Sequence, residues 1–265
     1  MNKPRYIYKY HKLNIFFFEL ITSKEFYLAS REELNDPFDL SISISKDSFQ
    51  KFYIEKYSHL EYKASDLKNI TDLFEYYRVN EKSEYNRLLK DVVPQEYWEN
   101  RTTCFTEEAN NSLMWSHYSD NHNGVCIKFD LSKDEKLNNS LTPIKYLKRI
   151  PEIKQQTDFK KFLYLKEESW SSEKEWRIVS NKIKFPFKPE AINEIIFGLN
   201  TPNNIISWFS YLLEGVYLSD VILSKLQIKG NRLIKTNQWG NEVNISHFRP
   251  KKISKAEKEK WKFLY

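Results

Sequence analysis

The chain has 265 residues, 42 basic and 36 acidic, a formal net charge of +6, and is 40% hydrophobic and 16% aromatic. That length and apolar content suffice to bury a core, which excludes a disordered polypeptide. The mild, interspersed positive charge lacks the basic stripe of a dedicated duplex-DNA binder, and two cysteines, Cys104 and Cys126, are too few to build a metal site by themselves.

The opening MNKPRYIYKY has no apolar signal-peptide core, and no apolar run approaches the ~18–20 residues that span a bilayer; a cytoplasmic protein with no membrane partner is expected. Residues 5–10 alternate as a strand, 13–22 carry helical apolar spacing, and 25–29 read as a second strand closing at Ser30. Asn35-Asp36-Pro37 is a turn, because proline fixes its own φ and drives the residue before it out of the helical region. The stretch from about 46 to 92 is charged and Tyr-rich, with Leu67, Ile70, Leu73, Phe74 and Tyr77 on one helical face, and reads as a helical insertion. Strands return at 102–106, 124–130, 144–147, 175–180 and 194–197, while 159–168 and 204–213 read as helices. The expected architecture is a single α+β domain over 1–250, a mostly antiparallel or mixed β-sheet body with flanking helices and the helical insertion. A basic tail helix, containing KKISKAEKEKWK, follows at 251–265.

Two blocks concentrate the candidate chemistry: SLMWSHYSDNHNGVCIKFD at 112–130 and WSSEKEWRIV at 170–179. On a strand, Glu173, Glu175 and Arg177 would share one face. Paired carboxylates push one pKa up and a neighbouring guanidinium pulls the other down, an arrangement that can grip a ribose hydroxyl. A salt-bridged strand face with Trp176 turned into the core accounts for the same spacing. His117 titrates near neutral pH, which suits acid–base work or substrate binding, and equally suits a half-buried hydrogen-bonded side chain. Trp115 is a stacking wall or a core anchor, with Tyr118 close by. His117 and His122, five apart, do not fit the i, i+4 spacing of a helical metal pair, and no metal is expected. Asn35, Asp36 and Asp39 either set their own turn or position substrate at a cleft edge.

The pieces IYKY (7–10), EFYLASREELNDPFD (25–39), CFTE (104–107), LMWSHYSDNHNGVCIKFD (113–130), WSSEKEWR (170–177) and EIIFG (194–198) occur in that order. As an ordered set they resemble the bacterial domain of unknown function 2971 family, a resemblance that implies no activity. The strand–helix–strand opening together with the late Glu-x-Glu resembles ADP-ribosyltransferases at the level of pattern. That second resemblance implies NAD as substrate and Lys9 at the nicotinamide-side ribose or phosphate, with His11 as its rival on the same strand parity. It further implies Tyr27 or Ser30 against nicotinamide, Glu175 stabilising an oxocarbenium-like ribose, and Glu173 as accessory carboxylate. Arg177 would pair with Glu173 or a phosphate, His117 would bind the dinucleotide or move a proton, and a protein or RNA would be the acceptor.

The expected function is therefore an intracellular NAD-using enzyme, for ADP-ribosyl transfer or NAD hydrolysis. Family members resemble accessory proteins of mobile and defence gene clusters, which implies a defence or toxin effector. Two alternatives stand beside it. One is a single-stranded RNA binder, or a metal-independent RNase using His117 and Lys9, in which bases stack on the abundant aromatics. The other is a nucleotide-sensing module without catalysis.

Overall fold

Strand β1 (Tyr6–His11) alternates between two apolar environments, and the fold is arranged around it. A computed structural model describes residues 3–237 apart from 37, 62, 156, 157, 217, 219 and 231; the 251–265 segment lies outside the described residues. Helix α1 (Ile15–Ser23) starts at Asn14, whose side chain accepts from the Phe17 amide, and ends at Lys24 in the left-handed region. Strand β2 (Glu25–Tyr27) follows. Helices α2 (Lys46–Lys56), α3 (Ala64–Asn80) and α4 (Lys82–Val92) come next, then the short α5 (Gln95–Trp98). The chain continues through β3 (Arg101–Thr106), α6 (Ser112–Tyr118), β4 (Val125–Asp130) and α7 (Glu135–Ser140). Strands β5 (Thr142–Pro143) and β6 (Lys145–Leu147), helix α8 (Phe159–Phe162) and strand β7 (Leu165–Glu167) lead to β8 (Glu175–Ser180) and β9 (Lys184–Pro186). The described part closes with β10 (Ile192–Phe197), α9 (Asn203–Gly215), β11 (Ile222–Lys229) and β12 (Arg232–Asn237).

The result is an α+β fold with a mixed eight-stranded sheet in the order β12-β11-β10-β4-β1-β3-β8-β5. Its neighbours pair antiparallel except β10 with β11. Side chains alternate across a strand, so the register sorts them into two faces. Ile7, Phe105, Ile127, Phe129, Trp176, Ile178 and Ile195 lie on the first face. They pack with Phe17 and Ile21 of α1 and Ile206 and Phe209 of α9. Tyr10, Cys126 and Ile196 lie on the second face, beneath Met114 and Trp115 of α6. A separate cluster, including Phe49, Phe52, Phe74, Leu88 and Phe159, builds the helical region from its own rings. Among the described residues no helix is long and apolar enough to cross a membrane.

Two local expectations are corrected. The 159–168 segment is one turn of helix followed by strand β7, which pairs parallel with β6; its short apolar run does not separate a helix from a buried strand. Leu73 does not join the buried face of α3: it is 39% exposed, whereas Phe74 is fully buried. The β11–β12 hairpin was not expected. Its lysines mask the alternation, and Gly230, at φ 59°, supplies the left-handed turn residue.

The β4–β10 junction tolerates no side chain at Gly198, where a Cβ would sit 2.1 Å from the His122 carbonyl oxygen. That carbonyl also accepts from the Asn200 amide, so it is not free to move away. Gly198→Ala is expected to destabilise the protein by about 1–3 kcal/mol, read as a lower urea midpoint with an unchanged denaturant slope.

Candidate functional site

On β8, Glu175 and Arg177 project to the second face, opposite Thr106 and Cys104 of β3. Glu173 does not share that strand. It is the last residue of a tight 3-10 turn (Glu168–Glu173), and Lys174, left-handed at φ 44°, separates it from β8. The expected run of three alternating strand residues is corrected to two, and Glu173 reaches Glu175 through Lys166 of β7 instead. The Lys166 ammonium lies 2.7 Å from Glu173 Oε2, 2.9 Å from Glu175 Oε2 and 3.8 Å from Asp39 Oδ2. Arg177 donates from Nε to Glu175 Oε1, at 2.6 Å to Asp39 Oδ2, and at 3.2 Å to the Leu163 carbonyl. The hydroxyl of Tyr146 accepts the Glu175 backbone N–H at 2.8 Å.

All five charged side chains are buried, Arg177 completely. Three carboxylates against two cations leave a net charge of −1, held where desolvation is costly unless every group is paired. Burial alone would raise the pKa of Glu175, but Arg177 and then Lys166 outweigh it and bring the pKa to about 2. Burial likewise opposes the charge on Lys166, yet Glu175, Glu173 and Asp39 lift its pKa well above the usual lysine range. The Cys104 thiol, desolvated beside Glu175, is pushed up to about 12 and is therefore an inert thiol at neutral pH.

The network continues to the surface. Tyr118 donates to Glu173 Oε1 at 2.7 Å, and exposed Asn35 donates to the Tyr118 hydroxyl at 3.1 Å. A polar chain thus runs outward from Arg177 through Glu175, Lys166, Glu173 and Tyr118 to Asn35. Trp170 borders it, with the Lys166 ammonium 4.7 Å from its ring centre. Helix α6 aims Tyr118 inward because Asn111 caps its first turn through the Leu113 and Met114 amides, while Met114 and Trp115 anchor it to the sheet. An open groove of about 700 Å³ lies elsewhere, lined by residues including Lys56, Lys90, Asp91 and Trp98, and contains none of these side chains.

Of the residues singled out from sequence, Asn35, Asp39, Tyr118, Glu173, Glu175 and Arg177 meet here. The others do not. Lys9 and His11 point to the first face, opposite Glu175, because they alternate with Tyr8 and Tyr10. Lys9 donates to Thr103 Oγ1 and the Cys104 carbonyl, and burial pulls the His11 pKa down to about 4. His117 is exposed on α6, over the second face, with its ring centre 6.2 Å from that of Tyr118. It is not half-buried, and it stands over the face of the sheet opposite to the one Lys9 points to. Tyr27 is half-exposed and donates to Glu33, which also accepts the Ser30 amide in a capping box; both residues organise the turn at 31–33. Asp36 Oδ1 accepts the Phe38 amide, a turn-setting bond. Trp115 is fully buried, donates to the Ala109 carbonyl, and packs edge-on against Tyr10 and face-on against His122. It is a core anchor and not an exposed stacking wall.

Sequence reasoning overlooked Lys166 and Tyr146. The available signal for Lys166 was a lysine directly preceded by aromatic and aliphatic residues in FLYLKEES, where an unpaired charge would be costly.

Residues 114–178 match the model of the family described as Protein of unknown function (DUF2971). The matched segment holds Tyr118, Lys166, Glu173, Glu175 and Arg177, while Asn35 and Asp39 reach the network from outside it. No curated protein and no solved structure matches the chain.

Removing Lys166 takes the ammonium from buried Glu173 and leaves Glu175 with Arg177 alone, so Lys166→Met is expected to cost about 3–5 kcal/mol at neutral pH, measured by urea unfolding. Glu175 has a folded pKa near 2, below its ordinary 4.5. Its stabilisation is therefore complete above pH 4.5 and is lost as the pH falls toward 2. The urea midpoint of the wild type is expected to fall across that window, and that of Glu175→Gln to fall less from a lower starting value.

Proposed function

We propose that this member of the DUF2971 family is an NAD-using enzyme of the ADP-ribosyltransferase type, and that Glu173, backed by Glu175, is the carboxylate that faces the ribose. The observation that carries this reading is the buried net charge of −1 whose outermost carboxylate, Glu173, sits behind Tyr118 and Asn35 near the surface. When the bond between the nicotinamide nitrogen and the ribose breaks, the bonding pair leaves with nicotinamide, which becomes neutral, and positive charge develops on the ribose. A preorganised negative charge in a water-poor site stabilises that state more than the ground state, in which the charge resides on the pyridinium ring. Water or an acceptor hydroxyl then bonds to the ribose carbon and gives up its proton, for which Glu173 is the available base.

The roles differ from those implied by pattern alone. Glu175 is occupied by Arg177 and Lys166, so it maintains the field and does not itself grip substrate. Tyr118 and Asn35 take the substrate-binding positions at the mouth, and His117 stands on its rim. Lys9, His11, Tyr27 and Ser30 have no part in this reading.

One observation favours a second reading, a nucleotide sensor without turnover: Glu173 and Glu175 already accept hydrogen bonds on both of their oxygens. Incubation with NAD separates the two. The enzyme reading expects nicotinamide release by wild type and a loss of about 10²–10³-fold in Glu173→Gln, as for other removals of a transition-state-stabilising group, with NAD affinity changed far less. NAD binding without release selects the sensor, and absence of both overturns the NAD assignment.

A further inference from the structure

A second polar centre lies on the same face of the sheet and is joined to the first by the strand register. Glu194 of β10 stands opposite Lys128 of β4, Lys128 opposite Tyr8 of β1, Tyr8 opposite Thr106 of β3, and Thr106 opposite Glu175 of β8. These five side chains form one polar row across five strands, with a carboxylate at each end.

At the far end, Glu194 is already satisfied. Its Oε1 accepts from Ser224 at 2.6 Å and from Lys235 at 3.0 Å, and its Oε2 accepts from Lys235 at 2.9 Å. Lys128 is left over. It is buried, with its ammonium 4.0 Å from Glu194 Oε2 and 4.0 Å from the centre of the Tyr6 ring, and it makes no hydrogen bond among the described residues. Arg5 and Asp130 pair with each other beside it. Lys128, Lys235 and Arg5 against Glu194 and Asp130 give this end a net charge of +1, the opposite of the β8 end.

An ammonium at the end of a largely buried side chain, with donors that no protein group among the described residues takes, is suited to an oxyanion, which forms charge-assisted hydrogen bonds with it. Burial, helped by Lys235, presses the Lys128 pKa down against the pull of Glu194 and Asp130. Tyr8, next in the row, supplies a second donor. Burial pushes its pKa up to about 12, so it keeps its proton at neutral pH. No hydrogen bond among the described residues uses its hydroxyl.

We propose that Lys128 and Tyr8 form an oxyanion site for the phosphoryl groups of a nucleotide whose ribose end meets Glu173. The identity of the ligand rests on the NAD reading; the anion chemistry does not. From β8 to β4 is three strand spacings, about 14 Å, within the length of an extended dinucleotide. The anionic end then takes the positively charged part of the substrate and the cationic end takes its phosphates, which fixes the direction in which the ligand lies across the sheet.

Inorganic pyrophosphate tests the site without turnover. Titrated against the full chain and followed by calorimetry and thermal unfolding, it is expected to bind and to raise the melting temperature of wild type. Lys128→Met, which keeps the aliphatic stem, is expected to bind about tenfold or more weakly, the equivalent of one lost charge-assisted hydrogen bond. Tyr8→Phe, which removes only a hydroxyl, is expected to weaken binding in the same direction and serves alone if the lysine variant does not fold. Equal affinity in wild type and the variants, or no binding by wild type, overturns the proposal. Nicotinamide release is scored separately: pyrophosphate binding through Lys128 without nicotinamide release upholds the anion site while sinking the NAD reading.

Discussion

The burial of Arg177 is the constraint on which the candidate site depends. A guanidinium with no solvent exposure needs acceptors from its surroundings, and here they come from three parts of the chain: Glu175 on its own strand, Asp39 from the turn after β2, and the Leu163 carbonyl before β7. Each acceptor draws its segment against the edge of the large sheet. Asp39 brings the 34–41 loop, and with it Asn35, over α6. Leu163 fixes the start of β7, which inserts Lys166 between the two glutamates. The planar, five-donor guanidinium can satisfy several acceptors at once; a lysine ammonium in its place could not reproduce that geometry.

The same sheet explains why residues adjacent in sequence serve separate purposes. β1 contributes Ile7, Lys9 and His11 to the face under α1, and Tyr6, Tyr8 and Tyr10 to the face under α6. Period-two alternation therefore divides the IYKY piece between an apolar core and a polar row, and a lysine in that piece cannot reach the β8 carboxylates whatever its chemistry suggests. Lys9 is instead held by Thr103 and a backbone carbonyl of β3, close above the Phe105 ring.

What was legible in the sequence followed the local physics. Alternation and helical spacing located β1, α1, β3, β4, β8, β10 and α9, since each periodic pattern answers to a continuous face of the core. Glu175 and Arg177 were legible as neighbours on one strand face because strand parity is a local property, but the expected partner of Arg177 was Glu173 or a phosphate, and it pairs with Glu175 and Asp39 instead. Lys166 was not, because nothing in FLYLKEES says which distant carboxylates will surround its ammonium. His117 misled for the opposite reason. Its residue type advertised acid–base chemistry, but helical phase, which is set by where Met114 and Trp115 must pack, turned His117 outward and Tyr118 toward Glu173.

Backbone strain gathers at the segments that feed the network. Leu40, directly after Asp39, has φ 53°; Lys174, between the two glutamates, has φ 44°; Asp120, Asn121 and His122, which follow Tyr118 by two to four residues, have φ 49°, 50° and 67°. Left-handed conformations disfavour residues with a Cβ, asparagine and aspartate least, and persist only where surrounding contacts over-determine them. At Lys174 the reason is visible in the geometry. Had the strand simply continued back through Lys174, Glu173 would occupy the next same-face position on β8, side by side with Glu175. The left-handed residue breaks that alternation and lets Glu173 face Tyr118 with one oxygen and Lys166 with the other. The two carboxylates thereby acquire different neighbours and different depths: one locked against Arg177 inside the protein, the other one hydrogen bond from a tyrosine that meets the surface.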